Sequence, residues 1–408
     1  MNCRHCHAPL ERRFLDLGSA PPSNAYLDEA DLSAPETWYP LRVLYCDQCW
    51  LVQTEDFAAH DELFSADYAY FSSMSASWLT HAKAYAAAMT ARIGLGVGAQ
   101  VVEIASNDGY LLQHFRDAEI ATLGVEPTHA TAEAARAIGI ETVEAFFGCD
   151  LARRLVAEGR AADLTAANNV LAHVPDINDF VGGFAILLKN DGVATFEFPH
   201  LVRLIQERQF DTVYHEHYSY LSLSAVDAVF RVNGLSIFDV ETLPTHGGSL
   251  RVFAQRSDTG RRPSTGAPEV LLAEEAEIGV TRHALYDGFQ EIAEGAKNAF
   301  VGFLLDAKRD GKLVAAYGAA AKGNTMLNFA GIRPDLLPFV VDRSPLKSGR
   351  FMPGSRIPIV SEDAIRAARP DYVVILPWNI ADEVMTQLTY IRDWGGQFVT
   401  AVPELRIR

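Results

Sequence analysis

The chain has 408 residues, 49% of them hydrophobic and 21% charged, and a formal net charge of −17. One core does not grow to that size, so two or three domains are expected, and no polar low-complexity tract argues for disorder. The negative charge, with no stripe of Lys and Arg among aromatics to offset it, excludes nucleic acid as a partner.

The segment from Met1 to Arg13 lacks the apolar run of a secretory signal, and no stretch is long enough to span a bilayer. A cytoplasmic protein with no membrane partner is therefore expected. In that reducing compartment stable disulfides are rare, which bears on the five cysteines.

Four of them form two pairs, Cys3-Arg-His-Cys6 and Cys46-Asp-Gln-Cys49. Two such knuckles offer the thiolates that a closed, structural Zn²⁺ site needs, although the gap between them exceeds that of a compact zinc ribbon. A redox-active pair or unpaired core thiols are the alternatives, and His5 is a competing ligand. Cys149 reads as a small buried apolar side chain. Between the knuckles, Leu15 to Pro40 is rich in Pro, Ser, Asp and Leu, and is expected to be irregular.

A helix is predicted over Ser72 to Arg92, where Trp78, Leu79, Ala82, Tyr85 and Met89 recur at helical spacing. Short apolar runs then alternate with helical segments. Gln100 to Ile104, Thr122 to Glu126, Ala162 to Ala166 and Gly192 to Phe198 predict buried parallel strands of a doubly wound sheet. Leu235 to Val240 and Ser249 to Ala254 predict an antiparallel pair across the Thr245-His-Gly-Gly turn. Pro268 to Ala307 predicts a helical link. Runs beginning at Lys312, Leu337, Tyr372 and Gln397 predict a second, smaller Rossmann-like lobe.

The fold class is α/β, with expected boundaries at 1–70 for the zinc-binding module, 71–260 for a central Rossmann-like domain, and 261–408 for the helical linker and C-terminal Rossmann-like domain.

Ligands of a doubly wound fold lie beyond the carboxyl ends of its strands. After the first strand comes Glu103-Ile-Ala-Ser-Asn-Asp-Gly109, and after the second Glu126, at the spacing where an acid grips ribose hydroxyls. A dinucleotide enzyme would need the full G-x-G-x-x-G, of which only Gly109 survives. S-adenosylmethionine has no phosphate and needs no such loop. The candidate donor contacts are Glu103, Ala105, Asn107, Asp108, Gly109, Glu126, Pro127, Phe146, Asn168 and Asn169. An ordinary strand-to-helix turn is the alternative.

The knuckles, Tyr68-Ala-Tyr70-Phe-Ser-Ser, the Glu103 to Gly109 loop, Asn169-Val-Leu-Ala-His173-Val-Pro-Asp, Tyr214-His-Glu-His217 and Tyr317-Gly-Ala-Ala-Ala-Lys-Gly323 occur in that order. Together they resemble the sugar C-methyltransferases that build branched deoxysugars, the group that includes the C-3 methyltransferase of the tetronitrose pathway. The resemblance spans essentially the whole chain. It implies a zinc-binding module, a central class I methyltransferase domain and a C-terminal lobe that helps to hold a nucleotide sugar, in deoxysugar and antibiotic biosynthesis. It also brings Tyr68 into the catalytic site and Tyr70 to the substrate.

Methylating carbon requires a base that removes a proton beside a ketone and donors that steady the enolate. His217 is the candidate base, with Glu216 and Tyr214 orienting it or bonding the sugar, and His173 assisting. A His-x-His metal site or a polar turn is the alternative. The candidate substrate contacts are Tyr70, His246, Tyr317, Gly318, Lys322 and Asn324, where the helix opened by Gly318-Ala-Ala-Ala-Lys322 offers N–H groups and a cation to a pyrophosphate. Small-residue packing explains the same run.

The function expected is C-methylation of a dTDP-linked 4-keto deoxysugar at C-3 by a monomer. C-5 methylation, a two-lobed nucleotide-sugar oxidoreductase or epimerase, and a zinc-bearing adaptor are the competing readings.

Overall fold

The apolar runs of the sequence become strands of sheets with four, seven and six strands. These come from a computed structural model that describes residues 1–57 and 71–408.

The N-terminal sheet contains β1 (Arg12–Ala20), β2 (Tyr39–Tyr45) and β3 (Val52–Thr54), all antiparallel. The irregular stretch expected from Leu15 is therefore shorter. Phe14, Leu15 and Leu17 are buried, and Leu41, Val43 and Tyr45 on the partner strand supply the matching apolar face that makes a strand the favourable state. The fourth strand of this sheet comes from far along the chain: β9 (Ser219–Tyr220) pairs with β3, through Val52 opposite Tyr220.

The helix Ala76–Ile93 starts where the Ser75 side chain accepts from the Trp78 amide, and it ends at Gly94 in the left-handed region, φ 74°. Its buried face is Ala82, Tyr85, Ala86 and Met89. Five parallel strands follow: β4 (Gln100–Ile104), β5 (Ala121–Val125), β6 (Thr142–Val143), β7 (Ala162–Asn168) and β8 (Leu188–Pro199). The hairpin of β10 (Leu235–Leu243) and β11 (Ser249–Arg256) joins antiparallel, giving the order β10-β11-β8-β7-β4-β5-β6. Val101, Val102, Leu164 and Phe196 are each 0% exposed, as expected of a sheet covered by helices on both faces.

The link is two helices, Ala267–Ile278 and Phe289–Arg309. The last sheet has β12 (Val314–Tyr317), β13 (Val340–Val341), β14 (Ile359–Val360), β15 (Tyr372–Ile375), β16 (Gln397–Thr400) and β17 (Arg406–Ile407), in the order β14-β13-β12-β15-β16-β17. Only β17 runs antiparallel there. One apolar core runs from Phe14, Val43 and Val52 of the N-terminal sheet through Phe210 and Val213 to Met326 and Met352 of the last lobe. That shared burial fixes where the lobes meet.

Candidate functional site

The four paired cysteines meet, with their sulfur atoms all within 4.8 Å of one another. Sγ atoms lie 3.5 Å apart for Cys3 and Cys49 and 3.4 Å for Cys6 and Cys46, and none is in a disulfide. A tetrahedral ion with bonds of about 2.3 Å to sulfur spaces its ligands comparably, so the donor set fits Zn²⁺. His5 does not compete for it: the cluster is made of the four sulfurs, and His5 Nδ1 donates to Asn178 Oδ1 at 2.8 Å. Cys149 is half-buried at the start of the helix Cys149–Ala157, with Sγ donating to the Asp179 carbonyl at 3.3 Å.

The turn after β4 adopts left-handed backbone at Ala105, Asn107 and Gly109. It is held by Glu126, whose Oε2 accepts from the Asn107 amide at 3.0 Å, while Oε1 accepts from the Thr128 amide at 2.9 Å and from the Thr128 hydroxyl. The acid expected to grip ribose thus shapes the turn itself. Gly109 leaves no room for a side chain, for a Cβ there would lie 3.1 Å from Ile138 and Ile140. Asn107 Oδ1 and Asp108 Oδ2 accept from the amides of Ser72 and Ser73 at 2.9 and 3.0 Å.

Other polar atoms around this turn are buried without a hydrogen-bond partner among the described residues: Asp108 Oδ1, Asn168 Oδ1 and Asn169 Oδ1, while the Glu103 carboxyl shares a hydrogen bond with the Tyr110 phenol. Such atoms are costly unless a ligand satisfies them, and they suit the amino, ribose and adenine groups of S-adenosylmethionine. Burial pushes the Glu103 carboxyl well above its usual range. Phe146 is 54% exposed, and Pro127 directly follows Glu126 at the mouth of β5.

His217 is buried, 9% exposed. Its Nδ1 donates to the Thr212 carbonyl at 2.8 Å, which leaves the lone pair on Nε2, and the Tyr214 hydroxyl donates there at 2.7 Å. Burial, with the positive charge of His173 and Lys322 adding to it, holds this imidazole well below its ordinary pKa, so it is neutral. The His173 ring lies 4.6 Å away, with Nδ1 donating to the Glu216 carbonyl at 2.8 Å. A backbone carbonyl, not the Glu216 carboxylate, orients the His217 ring. Glu216 Oε1 instead accepts from Asn24 Nδ2 at 3.1 Å, Oε2 is buried without a partner among the described residues, and burial raises its pKa. Tyr68 and Tyr70 lie outside the described residues.

Two expected substrate contacts are engaged inside the protein. Tyr317 is 6% exposed, its hydroxyl donating to Gln387 Oε1 at 3.2 Å, and Asn324 is 0% exposed, its Nδ2 donating to the Ser23 carbonyl at 3.3 Å. The amides of Gly318, Ala319 and Ala320 are used within the fold, on the Val341 carbonyl, Asp342 Oδ2 and the Gly318 carbonyl, each at 2.8 Å. The N–H groups facing an anion are then those of the first turn of the helix Ala321–Phe329. Lys322 Nζ donates to Asn379 Oδ1 at 2.9 Å and sits 4.6 Å over the Trp378 ring. Burial pulls its pKa down to about 8. His246 accepts on Nε2 from Asn169 Nδ2 at 3.0 Å and packs on Trp78 at 5.2 Å; burial and Lys322 push it down to about 4.

Sequence reasoning missed several residues here. Trp378 Nε1 donates to Asp211 Oδ2 at 2.7 Å, and burial raises Asp211 to about 6. Tyr26 donates to the Ala319 carbonyl at 2.6 Å. Glu197, at the end of β8, gathers His81 at 2.9 Å, Arg251 at 2.7 Å and Thr245 at 2.9 Å beneath Asn169. None belongs to a motif, although Glu197, in a strand otherwise wholly apolar from Val193 to Phe198 save Thr195, was a visible anomaly.

No helix among the described residues is long and apolar enough to cross a membrane. Family models match in series: a domain described as zinc binding at residues 3–64, a methyltransferase domain at 78–240, and a C-methyltransferase C-terminal domain at 244–403. The C-methyltransferase NovU of Streptomyces niveus is 34% identical over 405 residues, covering 99% of this chain and 96% of that protein. Solved structures similar to part of the chain include magnesium protoporphyrin IX methyltransferase from Synechocystis, 16% identical over 44% of this chain and 79% of that one with a TM-score of 0.34. An S-adenosylmethionine-dependent methyltransferase from Mesorhizobium loti is 16% identical over 44% of this chain and 100% of that one, with a TM-score of 0.35. With its cysteine cluster, its wound sheet and 34% identity to NovU along 99% of its length, the chain belongs to the S-adenosylmethionine-dependent C-methyltransferase family.

Proposed function

We propose that this enzyme methylates the carbon beside the ketone of a nucleotide-linked 4-keto deoxysugar, with dTDP as the nucleotide and C-3 as the carbon. The observation that carries the reading is His217: a buried, neutral imidazole fixed through Nδ1, with its basic Nε2 lone pair beside a phenol. When bound, S-adenosylmethionine supplies an electrophilic methyl group on a sulfonium, the acceptor for the electron pair that deprotonation leaves on carbon.

His217 takes the carbon's proton at Nε2. The Tyr214 hydroxyl, which occupies that lone pair in the absence of sugar, turns to the ketone oxygen and donates to the enolate. Lys322 and the amides at the start of the helix Ala321–Phe329 receive the pyrophosphate. In a hexose the anomeric phosphate and the carbons flanking C-4 are no more than a ring's width apart. Lys322 can therefore bind the anion while its charge still bears on His217 and His246. Asp108, Asn168 and Asn169 orient the donor, and Cys3, Cys6, Cys46 and Cys49 hold Zn²⁺ with no position left for water, so the metal fixes structure.

The test is incubation with isotopically labelled donor and a panel of nucleotide ketosugars, followed by NMR of the product. Label on C-3 of the dTDP-4-keto sugar is expected. Label on C-5 would move the acidic carbon, and no transfer to any ketosugar would overturn the reading.

A further inference from the structure

We propose that the cysteine module positions the catalytic base, through a strut made of Gln53 and Thr54. The inference rests on the reading of His217 as that base.

Gln53 is 0% exposed and uses its whole amide. Nε2 donates to Cys3 Sγ at 3.3 Å and to the Leu51 carbonyl at 3.2 Å, while Oε1 accepts from the Arg4 amide at 2.9 Å. Both the sulfur cluster and the backbone of its first knuckle are thereby tied to β3. The next residue reaches the base: Thr54 Oγ1 donates to the His217 carbonyl at 2.6 Å, and its amide donates to the Tyr218 carbonyl at 3.1 Å. Arg4, between the first two cysteines, closes the frame by donating to the Thr54 carbonyl at 2.9 Å and lying 5.0 Å over the Tyr218 ring.

The other side of the run is held independently. Thr325 Oγ1, on the helix that carries Lys322, donates to the Val213 carbonyl at 2.8 Å. The base therefore sits on a short segment pinned by Thr325 from one lobe and Thr54 from the metal module. Once Tyr214 has turned to the sugar, the ring keeps one hydrogen-bonded anchor, the Thr212 carbonyl. If the backbone at His217 shifts, that anchor cannot keep Nε2 aimed, and a misplacement of about 1 Å in a reacting group costs on the order of a hundredfold in rate.

The test uses the full-length, zinc-loaded protein and its Thr54→Val and Thr54→Ser variants. Nitrogen NMR of ¹⁵N-histidine-labelled protein without substrate, with His217 identified by the signal lost in His217→Asn, should show one neutral tautomer protonated on Nδ1. Thr54→Val should turn this into a tautomer mixture, and Thr54→Ser should restore it, with zinc content and S-adenosylmethionine affinity equal to wild type. With dTDP-4-keto-6-deoxyglucose, kcat should fall on the order of tenfold in Thr54→Val at unchanged KM. An unchanged His217 signal in Thr54→Val, or a change accompanied by equal loss of zinc, overturns the proposal. Should Thr54→Val not fold, Gln53→Met reads the same signal. Normal turnover by His217→Asn would instead defeat the reading of the base, whatever Thr54 does.

Discussion

The Tyr214 hydroxyl and His217 Nε2 lie 2.7 Å apart, and the same ring gives its other proton to the Thr212 carbonyl at 2.8 Å. This fixes the tautomer without a carboxylate, so the imidazole is kept neutral by burial rather than made more basic by an anion. Its pH behaviour follows.

If His217 is the base as proposed, its neutral form is present through neutral pH, and the acid limb of kcat/KM, which reports the free enzyme, is expected well below 6.5, the ordinary imidazole value. Lys322→Met removes a positive charge that opposes protonation, so that limb should move to higher pH. A pH-rate profile of the variant reads this, and a limb that stays or moves down would mean that the ammonium does not act on His217.

Glu275 is 0% exposed, yet it accepts from the Leu223 and Ser224 amides at 2.7 Å, from His200 Nε2 at 2.7 Å and from the Ser224 hydroxyl at 2.6 Å. It caps the helix Leu223–Val232 from outside. Glu275→Ala leaves those donors buried and unpaired, at a cost of about 3 kcal/mol. Although burial opposes it, the hydrogen bonds and His200 lower the Glu275 pKa on folding. The stabilisation is therefore full above the unfolded carboxylate pKa and lost as pH falls through the folded value. Melting temperatures of the two proteins should converge in acid, and a constant gap down to that range would contradict this.

Gly247 has φ +90°, and a Cβ there would lie 2.6 Å from Trp378 and 2.8 Å from Gln209. Gly247→Ala should push the hairpin turn off the C-terminal lobe, destabilising by about 1–3 kcal/mol. KM for the ketosugar should rise by more than calorimetry shows donor binding to weaken, because the β4 turn keeps its own bond to Glu126, although His246 beside Gly247 bonds Asn169 at 3.0 Å. Equal loss of both affinities would show that the two sites are not separable in this way.

Cys46→Ser removes one sulfur from the cluster. Metal analysis is expected to find about one zinc per wild-type chain and far less in the variant, with a lower melting temperature. Wild-type protein that is stable and free of metal after mild chelation would remove zinc from its structural role.

The sequence by itself determined the parts of this protein whose physics is local. Cysteine pairs at fixed spacing announced a four-sulfur cluster, buried β-rich runs announced two wound sheets, and the Asn107 to Gly109 run announced a tight turn after β4, because knuckle, strand and turn geometry each need particular residues within a few positions. Tertiary structure alone decided which groups act on one another. Thr54 and His217 are separated by 163 positions, Asn24 and Glu216 by 192, and Asp211 and Trp378 by 167. Thr, Asn and Trp side chains carry no periodicity that reveals a distant partner. Those contacts arise only when a shared apolar core presses the N-terminal sheet and the C-terminal lobe against the segment holding His217. The same burial sets the charge state of that imidazole, which no reading of residue types could supply.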